Sequence, residues 1–152
     1  MSEAGTAELT SGDIQALPLS QGLKSGGLRR VAAIDIGTNS THLLVASVDP
    51  ALGTFSIIQA EKSTTRLGER DPDTGDLSAA AMERGFETLR RFLELANSHQ
   101  VEQVVTAATS AVREAPNGRD FLQSIKDELG IEVDLVSGPE EARLIYLGVL
   151  SG

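Results

Sequence analysis

Cysteine and tryptophan are absent from this 152-residue chain, and only 3% of its residues are aromatic. Without cysteine there is neither a disulfide nor a thiolate metal site, and the composition suits a reducing compartment. So few aromatic rings argue against a platform that stacks the bases of single-stranded nucleic acid. No apolar run approaches the roughly 18 residues of a membrane span, and the first residues lack the basic and apolar regions of a secretory signal. We therefore expect a soluble, cytoplasmic protein.

Positive charge is also scarce. The chain has 13 Lys and Arg against 22 Asp and Glu, which gives a formal net charge of −9. This balance disfavours non-specific attachment to nucleic acid or to anionic lipid, so we expect neither a specific nucleic acid nor a membrane as a partner. A strongly anionic substrate would have to be received by a local group of basic side chains or by divalent cations.

The distribution of apolar residues predicts one α/β domain behind a flexible leader. Residues 1–28 are rich in Ser, Gly, Ala and Gln and show no sustained period, as is typical of a mobile segment. Residues 29–152 follow the order βββαβαβα. A meander followed by strand and helix alternation predicts a mixed sheet with helices on its faces, the layering of a ribonuclease-H-like unit.

The boundaries of these elements come from periodicity and capping signals. Ser78 is a good N-cap for a first helix that ends near Asn97, and Asn117 can cap a second helix that stops at Gly130. A third helix should begin at Gly138-Pro139, since proline suits the first helical position. The predicted strands are 31–36, 42–48, 54–61, 101–107 and 131–135.

The turn between the first two predicted strands has an unusual composition. Asp35 ends the first strand, and Gly37-Thr-Asn-Ser40 follows. Backbone N–H groups and hydroxyls of such small residues can converge on an anion, and a carboxylate beside them indicates a metal-bridged phosphate. The alternative is an ordinary hairpin in which Gly37 and Asn39 supply positive φ and Asp35 accepts hydrogen bonds from the turn. The turn alone leaves both interpretations open.

Four blocks of sequence carry a family resemblance. They occupy residues 35–44, 66–69, 108–115 and 137–148. In this order they resemble the motifs of the exopolyphosphatase and guanosine pentaphosphate phosphohydrolase family, a branch of the actin, sugar-kinase and heat-shock-chaperone ATPase superfamily. The resemblance covers about residues 30–152 and implies an actin-like fold. Members of that family set two such units across a cleft, so residues 29–152 would be the amino-terminal domain, with the second domain absent from this chain.

The resemblance also implies the parts of a phosphate site at the first turn. Asp35 would hold Mg²⁺ or another divalent cation, directly or through water. Gly37 would let the backbone approach phosphate, and Thr38, Asn39 and Ser40 would supply N–H and hydroxyl donors.

Two further site residues follow from the same resemblance. Glu141 corresponds to the family's catalytic glutamate, which activates water for attack on a terminal phosphorus. By position alone, Glu140 and Glu141 would stabilise the first turn of a helix that opens at Pro139, and the resemblance leaves that structural role to Glu140. Arg113 resembles a family arginine near the bound phosphate, whereas without the family it would be taken for a surface arginine.

The segment after the third predicted strand is the remaining candidate region. Lys62 and Arg66 could help to receive polyphosphate, although a solvated loop is the competing interpretation. Family members commonly have glycine where this chain has Arg70, so the shape of the loop stays open.

These inferences predict a hydrolase that acts on terminal phosphoanhydride bonds of inorganic polyphosphate or guanosine pentaphosphate with Mg²⁺. We expect the isolated chain to be inactive, because one wall of the cleft would be missing, and the complete protein to be a candidate homodimer. One alternative is a noncatalytic module that binds polyphosphate or a guanosine alarmone. Another is a sugar or acetate kinase of the same superfamily.

Overall fold

The structure, a computed structural model, describes residues 27–136. The strands are β1 (Arg29–Ile36), β2 (Thr41–Asp49), β3 (Thr54–Ser63), β4 (Gln103–Ala108) and β5 (Asp134–Leu135). The helices are α1 (Ala79–Ser98), α2 (Ser110–Glu114) and α3 (Gly118–Leu129). The strands form one sheet in the order β3-β2-β1-β4-β5.

The sheet is mixed, as the sequence predicts. β1, β2 and β3 are antiparallel neighbours, whereas β4 is parallel both to β1 and to β5. The strands β1, β2 and β3 are antiparallel because short turns join them. The strands β4 and β5 are parallel to β1 because helical crossovers precede them. The carboxyl ends of β1, β4 and β5 therefore meet at one edge of the sheet, where the first turn also lies.

The main core lies between one face of the sheet and the described helices. Because side chains alternate along a strand, Ile34 and Ile36 of β1 face this layer and are fully buried. Leu89 and Phe92 of α1 and Ile125 of α3 meet them from the other side. The apolar residues that recur every 3.6 positions in the helices and every second position in the strands thus pack into one core.

The opposite face of the sheet carries a second, smaller apolar cluster. Val31, Ala46 and Val48 are buried there, with Leu44 and Phe55 packed against them. Within residues 27–136, no helix packs on this cluster. Asp35 continues the same row of side chains along β1, so its carboxylate lies on this second face.

Most helix boundaries agree with the predictions. The Ser78 hydroxyl accepts a hydrogen bond from Ala81 N at 3.1 Å and caps α1, while Gly130 ends α3 in the left-handed conformation, with φ of 71°. The prediction for Asn117 was wrong in its chemistry. Asn117 is the N-cap residue, but its side chain makes no capping hydrogen bond and instead binds Leu77 N and O at 2.8 and 3.2 Å.

The predicted element order needs one correction, because the short helix α2 lies between β4 and α3. β5 is also shorter than predicted, since only Asp134 and Leu135 pair with β4. The predicted leader, apart from its last two residues, and the helix predicted to begin at Gly138-Pro139, which carries Glu141, lie outside the described residues. No helix within residues 27–136 is both long and apolar enough to cross a membrane.

Candidate phosphate-binding site

The turn between β1 and β2 is closed by its own backbone. Gly37 N donates a hydrogen bond to Ser40 O at 3.0 Å. A Cβ atom added at Gly37 would lie 2.8 Å from that oxygen, closer than a real side chain tolerates. Neither Gly37 nor Asn39 has positive φ. The hairpin alternative that assigns them positive φ is therefore wrong, and glycine is needed because of the close approach.

The turn leaves several donors at its tip. Its carbonyls are engaged: Thr38 O accepts from Gly68 N at 2.9 Å and Asn39 O from Arg66 N at 3.0 Å. In the described part of the chain, by contrast, the backbone N–H groups of Thr38, Asn39 and Ser40 have no hydrogen-bond acceptor. Successive N–H groups in a turn can form a concave anion site. The N–H groups of the turn are thus available to an anion, whereas the carbonyl oxygens of Thr38 and Asn39 already accept hydrogen bonds.

Asp35 lies at the base of the turn. Its Oδ1 atom is buried and has no hydrogen-bond partner among the described residues. The turn-capping alternative requires N–H groups that donate to this carboxylate, and the turn is closed by Ser40 O instead. Leaving a buried carboxylate oxygen unpaired is unfavourable, and a bound cation would compensate it.

The donor set around Asp35 fits one type of cation best. Residues 27–136 contain no group of three or more His, Cys, Asp or Glu that could enclose a metal. Zinc or calcium held wholly by protein is therefore a poor match for this region. Mg²⁺ keeps several waters and is typically held by one or two carboxylates together with substrate phosphates, so a single carboxylate beside a phosphate-binding turn suits it.

Ser110 is a candidate site residue that sequence reasoning did not assign. Thr109 N donates to Ile36 O at 3.2 Å, so the chain that follows β4 runs alongside the end of β1. This contact places the Ser110 hydroxyl 3.2 Å from the Thr38 hydroxyl. Ser110 belongs to the 108–115 block of the resemblance, but only its arginine was given a role. Two hydroxyls from separate segments therefore meet at the turn.

Arg113 is anchored to the chain after β5. Its guanidinium donates to Val136 O, and its backbone N–H bonds Thr109 O at 2.9 Å. Val136 N in turn donates to Ala108 O at 3.0 Å, so Arg113 fixes the chain where it leaves the sheet. Glu141 follows Val136 by five residues. The phosphate role of Arg113 stays a prediction, and the structure adds an anchoring role.

The segment after β3 packs against the turn. Thr65 and Leu67 are buried, and the Thr65 hydroxyl bonds the Thr41 hydroxyl at 3.0 Å. Between them, Arg66 has φ of 50° and directs an exposed side chain outward. Lys62 is also exposed and lies opposite His42, which itself lies opposite Asp35. Arg66 therefore adjoins the turn, while Lys62 is two strands from Asp35, about 10 Å away.

Arg70 has a structural function of its own. Its guanidinium donates to Gly75 O at 3.3 Å and to Ala111 O at 2.9 Å, which ties the loop to α2. The backbone of Arg70 does not have positive φ, so glycine is not required there. Arg70, which replaces the glycine common in the family, thus joins the loop by hydrogen bonds to α2, the helix that carries Ser110.

Comparison with solved structures identifies the class of fold. The chain is 35% identical to a Ppx/GppA family member from Aquifex aeolicus, with a TM-score of 0.72, and the match covers 81% of this chain and 40% of that protein. It is also 35% identical to an exopolyphosphatase from Cytophaga hutchinsonii, with a TM-score of 0.70 and coverage of 80% and 38%. The fold is therefore the actin-like α/β unit of these proteins. The chain spans about two fifths of their length.

The family follows from the sequence itself. Residues 44–152 match the model of the Ppx/GppA phosphatase family. The chain belongs to the Ppx/GppA phosphatase family, as the resemblance predicted.

Proposed function

We propose that this chain forms the amino-terminal half of a catalytic unit that hydrolyses terminal phosphoanhydride bonds of inorganic polyphosphate, guanosine pentaphosphate or both. The proposal is carried by one observation on residues 27–136: the buried Oδ1 atom of Asp35 has no hydrogen-bond partner there, and the N–H groups of the neighbouring turn have no acceptor there. An anion site beside an uncompensated carboxylate is favourable only with a cation between them. Family membership supports phosphatase chemistry at such a site.

The residues would divide the work as follows. The N–H groups of Thr38, Asn39 and Ser40 and the hydroxyls of Thr38 and Ser110 would bind and orient the terminal phosphate. Asp35 would hold Mg²⁺, which supplies charge neutralisation on the phosphate oxygens.

Glu141 would take the proton of the attacking water, a role that rests on the resemblance because Glu141 lies outside the described residues. Arg66 and Lys62 would attract the remainder of a polyanionic substrate towards the turn. We place the reaction in the cytoplasm, which the cysteine-free composition supports.

The direct test measures phosphate release with Mg²⁺ from long-chain polyphosphate and from guanosine pentaphosphate, using the complete gene product and this 152-residue chain. We expect the complete product to hydrolyse at least one of the two substrates and the 152-residue chain to be nearly inactive, because electrostatic catalysis depends on a site that excludes water on both sides. Saturable binding by the complete product without phosphate release would favour the noncatalytic module. Equal rates of phosphate release per molecule from the complete product and the 152-residue chain would contradict a site that needs both sides of the cleft.

Asp35→Asn should raise the Mg²⁺ concentration required for activity by about tenfold or more, because an amide is a weaker ligand than a carboxylate. Folding should not be weakened, since the buried Oδ1 atom of Asp35 has no hydrogen-bond partner among the described residues that could be lost. A Mg²⁺ titration of activity beside a thermal melt measures both effects.

Asp49→Asn is the matched control for this prediction. Asp49 does cap a turn, because its carboxylate accepts from Ala51 N and Leu52 N at 3.1 and 3.3 Å. This variant should lower the melting temperature slightly, because a neutral amide oxygen accepts these hydrogen bonds less strongly than a carboxylate oxygen, and it should leave the Mg²⁺ requirement unchanged. If Asp35→Asn behaves in the same way as Asp49→Asn, Asp35 stabilises the turn and does not hold a metal.

A further inference from the structure

Arg84 connects α1 to the segment that packs against the turn. Its Nε atom donates to Thr65 O at 2.8 Å, and its Nη2 atom pairs with Glu69 Oε2 at 2.9 Å. Arg84 lies on the helix, outside the four blocks that resemble the family motifs. The same Nη2 atom also donates to Arg66 O at 3.5 Å. These three contacts place the positive charge of a helix residue beside the loop that carries Arg66.

Glu69 has two arginines beside it, but at different distances. Arg84 is within hydrogen-bond distance of one carboxylate oxygen, whereas Arg66 Nη1 lies 3.6 Å from the other, beyond a hydrogen bond. The Arg66 side chain is 67% exposed, compared with 36% for Arg84. Arg84 is thus the stronger partner of Glu69, and Arg66 is left mostly facing solvent.

The backbone holds Arg66 in place while its side chain faces solvent. Arg66 N donates to Asn39 O in the turn, and the following residue, Leu67, is fully buried. The positive φ of Arg66 is unfavourable for a residue with a side chain and persists only where the surroundings enforce it. The backbone of Arg66 is therefore fixed next to the N–H groups that would bind phosphate, and only its side chain is free to move.

We propose that Arg84 is a positioning residue for the anionic substrate: by pairing with Glu69, it keeps Arg66 available to a polyanion at the turn. The inference rests on the proposed function. Without Arg84, Glu69 would pair with Arg66, and the guanidinium of Arg66 would no longer be free to meet a polyanion. In a chain of net charge −9, the loss of one local cation weakens attraction of a polyanion.

The first test needs no substrate. Phenylglyoxal modifies accessible arginines, and peptide mass spectrometry reports the rate at Arg66 in the complete gene product. Arg84→Gln should slow modification of Arg66 about twofold or more, because Glu69 would then pair with Arg66. Adding Glu69→Gln in the same protein should restore the rate. An unchanged rate in Arg84→Gln overturns the inference, whatever the activity of the protein.

The second test separates charge from structure by kinetics on long-chain polyphosphate. Arg84→Gln should raise KM about fivefold, the equivalent of one exposed ion pair, with kcat little changed. The double variant Glu69→Gln/Arg84→Gln should return KM to near the wild-type value. If Arg84 acted only by holding the backbone carbonyls of Thr65 and Arg66, removal of Glu69 would not rescue binding. A KM that stays high in the double variant would therefore reject the proposal.

Arg90→Gln provides the control on the same helix. Arg90 pairs with Glu128 at 3.1 Å, away from the turn, so its loss removes one positive charge and one ion pair of the same kind. KM should stay at the wild-type value, and an equal rise would show that Arg84 acts through net charge alone. If the wild-type protein hydrolyses neither polyphosphate nor guanosine pentaphosphate, the proposed function is overturned. The rate at which phenylglyoxal modifies Arg66 tests the pairing of Arg84 with Glu69 independently of activity.

Discussion

Glu141→Gln should lower the turnover of the complete gene product by about a hundredfold or more and change KM by no more than a few fold, as is expected for loss of a general base. The expectation rests on the resemblance of the 137–148 block to the family's catalytic segment. The structure adds that the chain leaves the sheet at Val136, beside the carboxyl end of β4 and at the same edge as the turn. Steady-state kinetics on both candidate substrates measure the effect.

Glu140→Gln is the control for this experiment. It removes a carboxylate from the neighbouring position, where only helix stabilisation is predicted, and should retain most of the activity. Equal losses in the two variants, or unchanged turnover of a folded Glu141→Gln protein, would contradict the assignment of the base.

Gly118→Ala should lower the free energy of unfolding by about 3 kcal/mol, an unusually large effect for a single methyl group. A Cβ atom at this position would lie 1.9 Å from Val112 O, a backbone atom that cannot move without shifting α2 or α3. Because α2 begins with Ser110, the variant should also lose activity. Urea denaturation of the complete gene product measures the change in stability.

Arg119→Ala tests whether the effect comes from that contact. Arg119 is the next residue of α3, and its side chain is exposed, so truncation should change the free energy of unfolding by about 0.5 kcal/mol or less. If Gly118→Ala denatures at the wild-type urea concentration, α2 and α3 do not approach one another as closely as described.

Local patterns predicted most of the fold. Apolar runs marked the first, second and fourth strands, and alternating apolar residues marked the fifth. The helical period, with Ser78 and Gly130 at the ends, marked α1 and α3. The helix α2 was missed because five residues are too few to show a period. Asn117 was assigned to helix capping because its residue type prefers that role, yet a carbonyl and an N–H of Leu77, 40 residues away, bind its side chain instead.

The site was predictable in part. The composition of the turn and its adjacent carboxylate marked residues 35–40 as a candidate, because those neighbours are fixed by the chain itself, and the family resemblance favoured the phosphate role, which stays a prediction. Ser110 and Arg84 could not be identified in the same way. Each reaches the site from another element, at a sequence distance of 72 residues from Thr38 and 15 from Glu69 respectively. Such partners depend on how the strands pair and the helices pack, which no local pattern encodes.

The pairing of β1 also sets the order in which the site can assemble. Its hairpin with β2 closes through a short local turn. Its parallel pairing with β4, by contrast, joins residues 72 positions apart, such as Val31 and Gln103. Non-local strand pairing requires closure of a long loop and is slow compared with hairpin formation. The tip of the turn can therefore form early in folding, but Ser110 reaches it only after β4 has docked. During synthesis, β1 keeps one unpaired edge until that stage, and this edge is where a premature contact with another chain would begin.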